Sequence, residues 1–165
     1  MLDTEFKLSE MERRLDECGC PTLAPTTTAA DYAVSTFSAL TSAVSSASNG
    51  ATIEVTDDIE FTDDIYVNGK SLTIFSNGGH TLSGDTELFT MYSGADLTFT
   101  GLTFEDGCGT YNGVFSVSAS TLTVSDSNFV SNTVGSGWNG AAASLVSGST
   151  GVFTDVTFTS TASKR

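Results

Sequence analysis

The spacing of apolar residues changes twice along this chain. In residues 1–20, Leu8, Met11, Leu15 and Cys18 recur at intervals of three and four, a short apolar stripe on a charged, helix-prone segment. The stripe covers barely two heptads, too little for a stable isolated coiled coil, so a frayed or docked amphipathic helix is expected. Residues 21–30, PTLAPTTTAA, have no periodicity and two prolines, and read as a linker. Helical spacing returns at Val34, Phe37, Leu40, Val44 and Ala47. It predicts a helix over 31–48, with Asp31 as N-cap and Asn49-Gly50 as the stop, in a segment bounded at 31–50.

From Ala51 onward the alternation has period two, in short runs broken by Gly, Asn and Asp. The runs resemble one another. Ser71-Leu72-Thr73-Ile74, Asp96-Leu97-Thr98-Phe99 and Thr121-Leu122-Thr123-Val124 follow at 25-residue spacing, and Thr52–Val55 and Gly151–Thr154 extend the series. A second set places Phe104, Phe129 and Phe158 at spacings of 25 and 29. A third set is Leu88–Met91, Val114–Val117 and Ala143–Val146. Three short strands per repeat, in about four or five repeats, mark a solenoid, because one coil cannot bury its own inward side chains and stacked coils can. The fold expected is all-β: a parallel β-helix of about four to five coils over residues 51–163, with the 31–50 helix as its N-terminal cap. Leu72 and Ile74 should point inward and Thr73 outward. A solenoid end needs such a cap because a bare coil is an open sheet edge.

Composition fits this pattern. Ser (23) and Thr (26) supply the outward half of the alternation, and 16 Gly supply corners. The formal charge is −14, and between Asp31 and Ser163 the only Lys or Arg is Lys70, against fourteen Asp and Glu. Such a chain has no electrostatic footprint for nucleic acid or an anionic membrane. No apolar run approaches the ~20 residues of a membrane span. Cys18, Cys20 and Cys108 are too few for a four-ligand zinc site and odd in number. Free thiols, a bridge from Cys108 to Cys18 or Cys20, and a bridge between chains all stay open. No secretion signal is visible in residues 1–20.

The order of an amphipathic helix, "NGATIEV", "GKSLTIFSNGGHTLSG" and "LTFTGLTFEDG" resembles the start of pectin-lyase-like right-handed parallel β-helix proteins. The later repeats resemble those of chlamydial polymorphic outer membrane proteins, which carry a Phe-x-x-Asn and a Gly-Gly-small-apolar motif per coil. Phe129-Val130-Ser131-Asn132 matches the first. Asn112-Gly113-Val114 and Asn139-Gly140-Ala141 match the second with Asn in place of the first Gly, while Gly107 stands where an Asn would follow Phe104. The resemblance covers residues 31–163. It implies right-handed coils and an extracellular or cell-surface location. The fold hosts enzymes and non-enzymes alike.

The resemblance also says what catalysis would need. Lyases of this fold use an Arg or Lys base beside a uronate carboxylate, often with calcium held by aspartates; hydrolases use clustered carboxylates with Gly-His-Gly and Arg-x-Lys. This chain offers Lys70, His80 in Gly79-His80-Thr81, and the pairs Asp57-Asp58 and Asp63-Asp64. Lys70 and His80 read as solvated turn residues, and no catalytic residue is assigned. Asp57, Asp58, Asp63 and Asp64 could gather oxygens around calcium, the one cofactor considered. The outward rank Thr73, Thr98 and Thr123, with Thr103, Asn128 and Thr157 on the adjoining face, could form a flat binding surface, as stacked Thr arrays do in ice-binding solenoids; β-propensity alone also accounts for them.

The functional expectation is a non-enzymatic, adhesive or structural surface module. Its partners would be carbohydrate or another protein surface, with an end-to-end contact at the last coil through Val152, Phe153, Val156 and Phe158. The alternative is a carbohydrate-active enzyme or its remnant.

Overall fold

A computed structural model describes residues 29–135 and 140–163. The 1–20 stripe, Cys18, Cys20, most of the linker and Asn139 lie outside the described residues. Strand β1 (Tyr32–Val34) and helix α1 (Phe37–Ser46) precede the coils. The first coil is β2 (Ala51–Val55), β3 (Ile59–Glu60) and β4 (Ile65–Asn68). The second is β5 (Ser71–Phe75), β6 (Thr81–Ser83) and β7 (Phe89–Tyr92). The third is β8 (Asp96–Thr100), β9 (Thr103–Glu105), β10 (Cys108–Gly109) and β11 (Phe115–Ser118). The fourth is β12 (Thr121–Val130), β13 (Thr133–Val134) and β14 (Ala143–Val146). The fifth is β15 (Thr150–Thr159) and β16 (Ala162–Ser163). The result is a parallel β-solenoid of about five turns, as the repeats predict.

Stacking produces three faces. The first runs β1-β2-β5-β8-β12-β15, the second β3-β6-β9-β12-β15, and the third β4-β7-β11-β14; β10-β13-β16 form a short strip. The long strands β12 and β15 serve both the first and second faces by turning a corner midway. The corners explain much of the sequence. Asp126 and Asp155 hold φ of +48° and +52° in the column that Gly101 begins at +69°. Asp106, Ser131 and Ser160 form a second column at +56°, +56° and +53°. Gly69, Ser93, Ala119 and Ser147 form a third at +61°, +59°, +48° and +56°. All eight described non-glycine residues with positive φ fall in these columns. Left-handed backbone suits Gly, Asp and Asn, so the corner residues are repeat positions as much as the core residues are.

Inside, the ladder predicted from the repeats is in register. Leu72, Leu97 and Leu122 stack, as do Ile74, Phe99 and Val124, and all are buried. Phe104 and Phe129 lie 4.9 Å apart, with ring planes inclined by 26°; Phe129 and Phe158 lie 5.0 Å apart at 18°. Each fully buried ring contributes about 1.5–3 kcal/mol by leaving water, with aromatic pairing adding to it. In β15 the outermost strand leaves Val152 and Phe158 exposed.

Asn132 accounts for the Phe-x-x-Asn motif. It is fully buried; its Oδ1 accepts from Gly107 N at 2.8 Å and its Nδ2 donates to Phe104 O at 2.9 Å. Gly107 is the residue of the preceding coil over which Asn132 sits, and a Cβ there would lie 2.9 Å from Asn132 Oδ1. Glycine therefore stands in that coil because a side chain would crowd the next Asn and Val114. One coil on, Thr161 takes the Asn132 position and its Oγ1 donates to Phe129 O at 3.3 Å. Gly113 has a comparable role, since a Cβ would come within 1.6 Å of Ala141 O in the next coil; Gly140 turns its corner at φ +91°.

Two details depart from the sequence reading. The helix starts at Phe37 with Thr36 as its cap, accepting from Ala39 N at 3.2 Å, and residues 32–34 are a strand paired with β2. Asp31 does not cap the helix. Its carboxylate accepts from Thr52 N at 2.7 Å and Thr52 Oγ1 at 2.9 Å, fastening the first strand to the first coil. Val34 falls into phase with the helix face because it is the buried residue of the neighbouring strand. On the third face, Phe115 pairs with Ala143, one residue away from the alignment of the third sequence set. The inward phase of Phe115 and Val117 selects that register, since a slip of one would turn side chains outward.

Candidate functional site

The third face carries the exposed aromatic side chain that a binding site can be built around. In β4, Ile65 and Val67 point into the core, which forces Tyr66 and Asn68 outward. Tyr66 is 61% exposed. Asp64, just before the strand, is oriented by its neighbour, since Asp63 Oδ1 accepts from Asp64 N at 2.8 Å. Asp64 accepts from Thr86 Oγ1 of the next coil and, at 3.4 Å, from the Tyr66 hydroxyl. The Asp64 charge beside it, with some desolvation, raises the Tyr66 hydroxyl above its ordinary pKa and keeps it a neutral donor.

A polar row continues from Tyr66 along the solenoid axis. Thr90, Ser116 and Ser144 follow it in register on β7, β11 and β14. Thr90 Oγ1 donates to Glu87 Oε1 at 2.8 Å. Asn112 Nδ2 lies 3.2 Å from both Glu87 Oε2 and Ser116 Oγ. The Asp64 and Glu87 carboxylates are thus held in fixed positions one coil apart, about 5 Å along the axis. Tyr111, 58% exposed, adjoins Asn112 in the third coil.

Between β4 and α1 lies a groove of about 360 Å³, lined by Thr41, Ser45, Asp64, Tyr66, Asn68 and Lys70. Lys70 is not the solvated turn residue that its Asn-Gly-Lys context suggests. Its ammonium reaches Val44 O at 2.9 Å, Ala47 O at 3.1 Å and Ser45 O. These are carbonyls at the end of α1, where a positive charge meets the negative pole of the helix. An ammonium has three N–H donors, and three acceptors surround this one.

The other candidates from the sequence are dispersed. Asp57 Oδ1 accepts from Asp58 N, and Asp58 Oδ1 accepts from Thr81 N, before β3; Asp63 and Asp64 lie on the far side of β3. Among the described residues, no three Asp, Glu, His or Cys side chains gather where they could hold a metal ion. His80 Nδ1 lies 3.6 Å from Asp58 Oδ1, while Lys70 is on the helix carbonyls. A wider concavity of about 500 Å³ on the second face is bordered by Glu60, Asp85, Asp106, Cys108 and Ser131 and has no aromatic wall. Cys108 is half-buried on β10.

The Thr ranks are real columns. Thr73, Thr98 and Thr123 stack in register, with Thr52 extending the column at one end and Val152 closing it. Thr103, Asn128 and Thr157 stack with Thr81 before them, and Thr157 Oγ1 donates to Asn128 Oδ1. Sequence reasoning missed Tyr66. The available signal was an aromatic residue at an outward position of "IYVN", beside an acidic pair, where the other outward residues of that face are mostly small and polar. Compared with family models, curated proteins and solved structures, the chain matches none.

Proposed function

We propose that this protein is a non-enzymatic β-helix module of an extracellular or cell-surface assembly, with an adhesive or structural role and a carbohydrate-binding third face. The observation that carries the reading is Tyr66: a broadly exposed ring on a rigid strand, with an oriented carboxylate at its hydroxyl. An aromatic ring offers a flat apolar surface to the C–H face of a sugar, and fixed carboxylates and amides take its hydroxyls. Tyr66 stands on a strand, and the carboxylates just before β4 and β7 are tied by hydrogen bonds that hold their spacing. The likeness of the repeats to pectin-lyase-like and chlamydial surface proteins supports a surface location. A lyase- or hydrolase-like role would bring Lys70, His80 and two aspartates together; His80 meets Asp58 at 3.6 Å, while Lys70 is held on the helix carbonyls. Binding without turnover is therefore the reading we adopt.

A glycan array probed with the full chain and with Tyr66→Ala tests it. The expected result is binding to a subset of glycans, lost in Tyr66→Ala, with no release of reducing ends or unsaturated products. Turnover of a bound glycan would refute the non-enzymatic reading.

A further inference from the structure

Resting on that reading, we infer that the Tyr66 face selects uncharged glycans and rejects uronates, and that the chain it takes lies along the solenoid axis.

The argument starts from donors and acceptors. A neutral sugar presents hydroxyl donors in abundance, and the face presents acceptors to receive them: Asp64 and Glu87, each oxygen of which keeps a lone pair beyond the bond it already accepts. Asn68, outward on β4, can both donate and accept. A uronate adds a carboxylate, which needs a donor or a cation. The Lys70 ammonium lines the groove, but its three protons are directed at Val44 O, Ser45 O and Ala47 O. Lys70 is also the only Lys or Arg between Asp31 and Ser163. Asp63, Asp64 and Glu87 meanwhile border the ring, so a uronate would arrive among three like charges, with the protons of the one nearby ammonium already taken.

The direction of the ligand follows from the register. Tyr66, Thr90 and Ser116 are stacked coil on coil; the Thr86–Asp64 hydrogen bond ties the first coil to the second, and Asn112–Glu87 ties the second to the third. The polar groups therefore repeat along the axis at the coil spacing of about 4.8 Å, whereas across the axis the face is only one four-residue strand wide. An extended oligosaccharide lying along the row meets Asp64 and then Glu87; one lying across it meets a single coil.

The test is isothermal titration of the full chain with neutral oligosaccharides (glucan, xylan and mannan series) and with oligogalacturonate and oligoalginate, at 50 and 500 mM NaCl. Tyr66→Ala, Asp64→Asn and, as a remote control at an exposed position of the last coil, Thr154→Ala are compared, with thermal melts confirming folding. Expected is binding of a neutral series at least tenfold tighter than either uronate, changing less than twofold with salt. Affinity should rise from two sugars to four, as a chain spanning successive coils requires. Tyr66→Ala should lose at least tenfold and Thr154→Ala nothing. A uronate bound as tightly as the neutral series overturns the selectivity while leaving carbohydrate binding standing. Affinity independent of length overturns the axial orientation. Binding that survives in Tyr66→Ala moves the site elsewhere, and no binding of either class removes both this inference and the function it rests on.

Discussion

Asn132 offers the sharpest test of how the coils are held together. Its amide bridges two buried backbone groups of the preceding coil, Gly107 N–H and Phe104 C=O, at 2.8 and 2.9 Å. Asn132→Ala strands both in the interior and opens a small cavity. Each buried polar group left without a partner costs about 1–3 kcal/mol, so the loss should be about 2–6 kcal/mol, a large share of the stability typical of a domain. Asn132→Asp separates the hydrogen bonds from the packing, because its shape is nearly the same. Protonated, it can still donate to Phe104 O and accept from Gly107 N. Ionised, it sets a buried charge against a carbonyl oxygen. Its folded-state pKa should therefore lie above the unfolded value of about 4. The folded form then holds its proton more tightly than the unfolded chain. The variant is close to native below about pH 4 and loses stability as pH rises, by up to about 1.4 kcal/mol per unit until the folded pKa is passed. The assay is urea unfolding of wild type, Asn132→Ala and Asn132→Asp at pH 4, 5.5 and 7, each variant compared with wild type at the same pH. An Asn132→Asp deficit that is equal at all three pH values, or an Asn132→Ala cost below about 0.5 kcal/mol, would refute the reasoning.

Lys70→Met keeps the aliphatic stem and removes the charge from the end of α1; a loss of about 1–2 kcal/mol is expected, read as a Tm lower by several degrees. Ala119→Gly relieves a left-handed alanine at φ +48° on the surface, and even after the entropy cost of glycine stability should rise by up to about 1 kcal/mol, read as a higher Tm. Thr52 N–H and Oγ–H lower the pKa of Asp31, so its contribution is present above about pH 4 and fades as pH falls through the depressed folded value. The stability gap between wild type and Asp31→Asn, followed by urea midpoints at pH 6 and pH 3, should accordingly narrow at the lower pH.

Much of this architecture is legible in one sequence because a solenoid repeats its physics. Leu72, Leu97 and Leu122 occupy the same environment three times, so their common spacing announces a stack before any fold is known. Phe104 and Phe129 do the same, and Phe158 joins their column on the exposed last coil. What failed to show was what occurs once. Residues 32–34 read as helix because three residues of strand carry too little alternation to outweigh the Val34–Phe37 spacing. Asp31 reads as a cap because that is what aspartate before a helix usually does; its actual partner, Thr52, is brought beside it by the parallel pairing of β1 with β2.

The sequence by itself determined the coil: which residues face inward, where the chain turns, and that successive turns must stack to bury their ladders. These are periodic demands, and periodicity survives in a linear string. Only the tertiary structure decided what the coils bring together. It assigned Lys70 to the helix carbonyls twenty-three to twenty-six residues away, and set Asn132 over Gly107. It also lined up Tyr66, Glu87 and Asn112 along one face. Those neighbours come from different coils, and their distance in space is governed by register and corner geometry, which no local pattern of the sequence records.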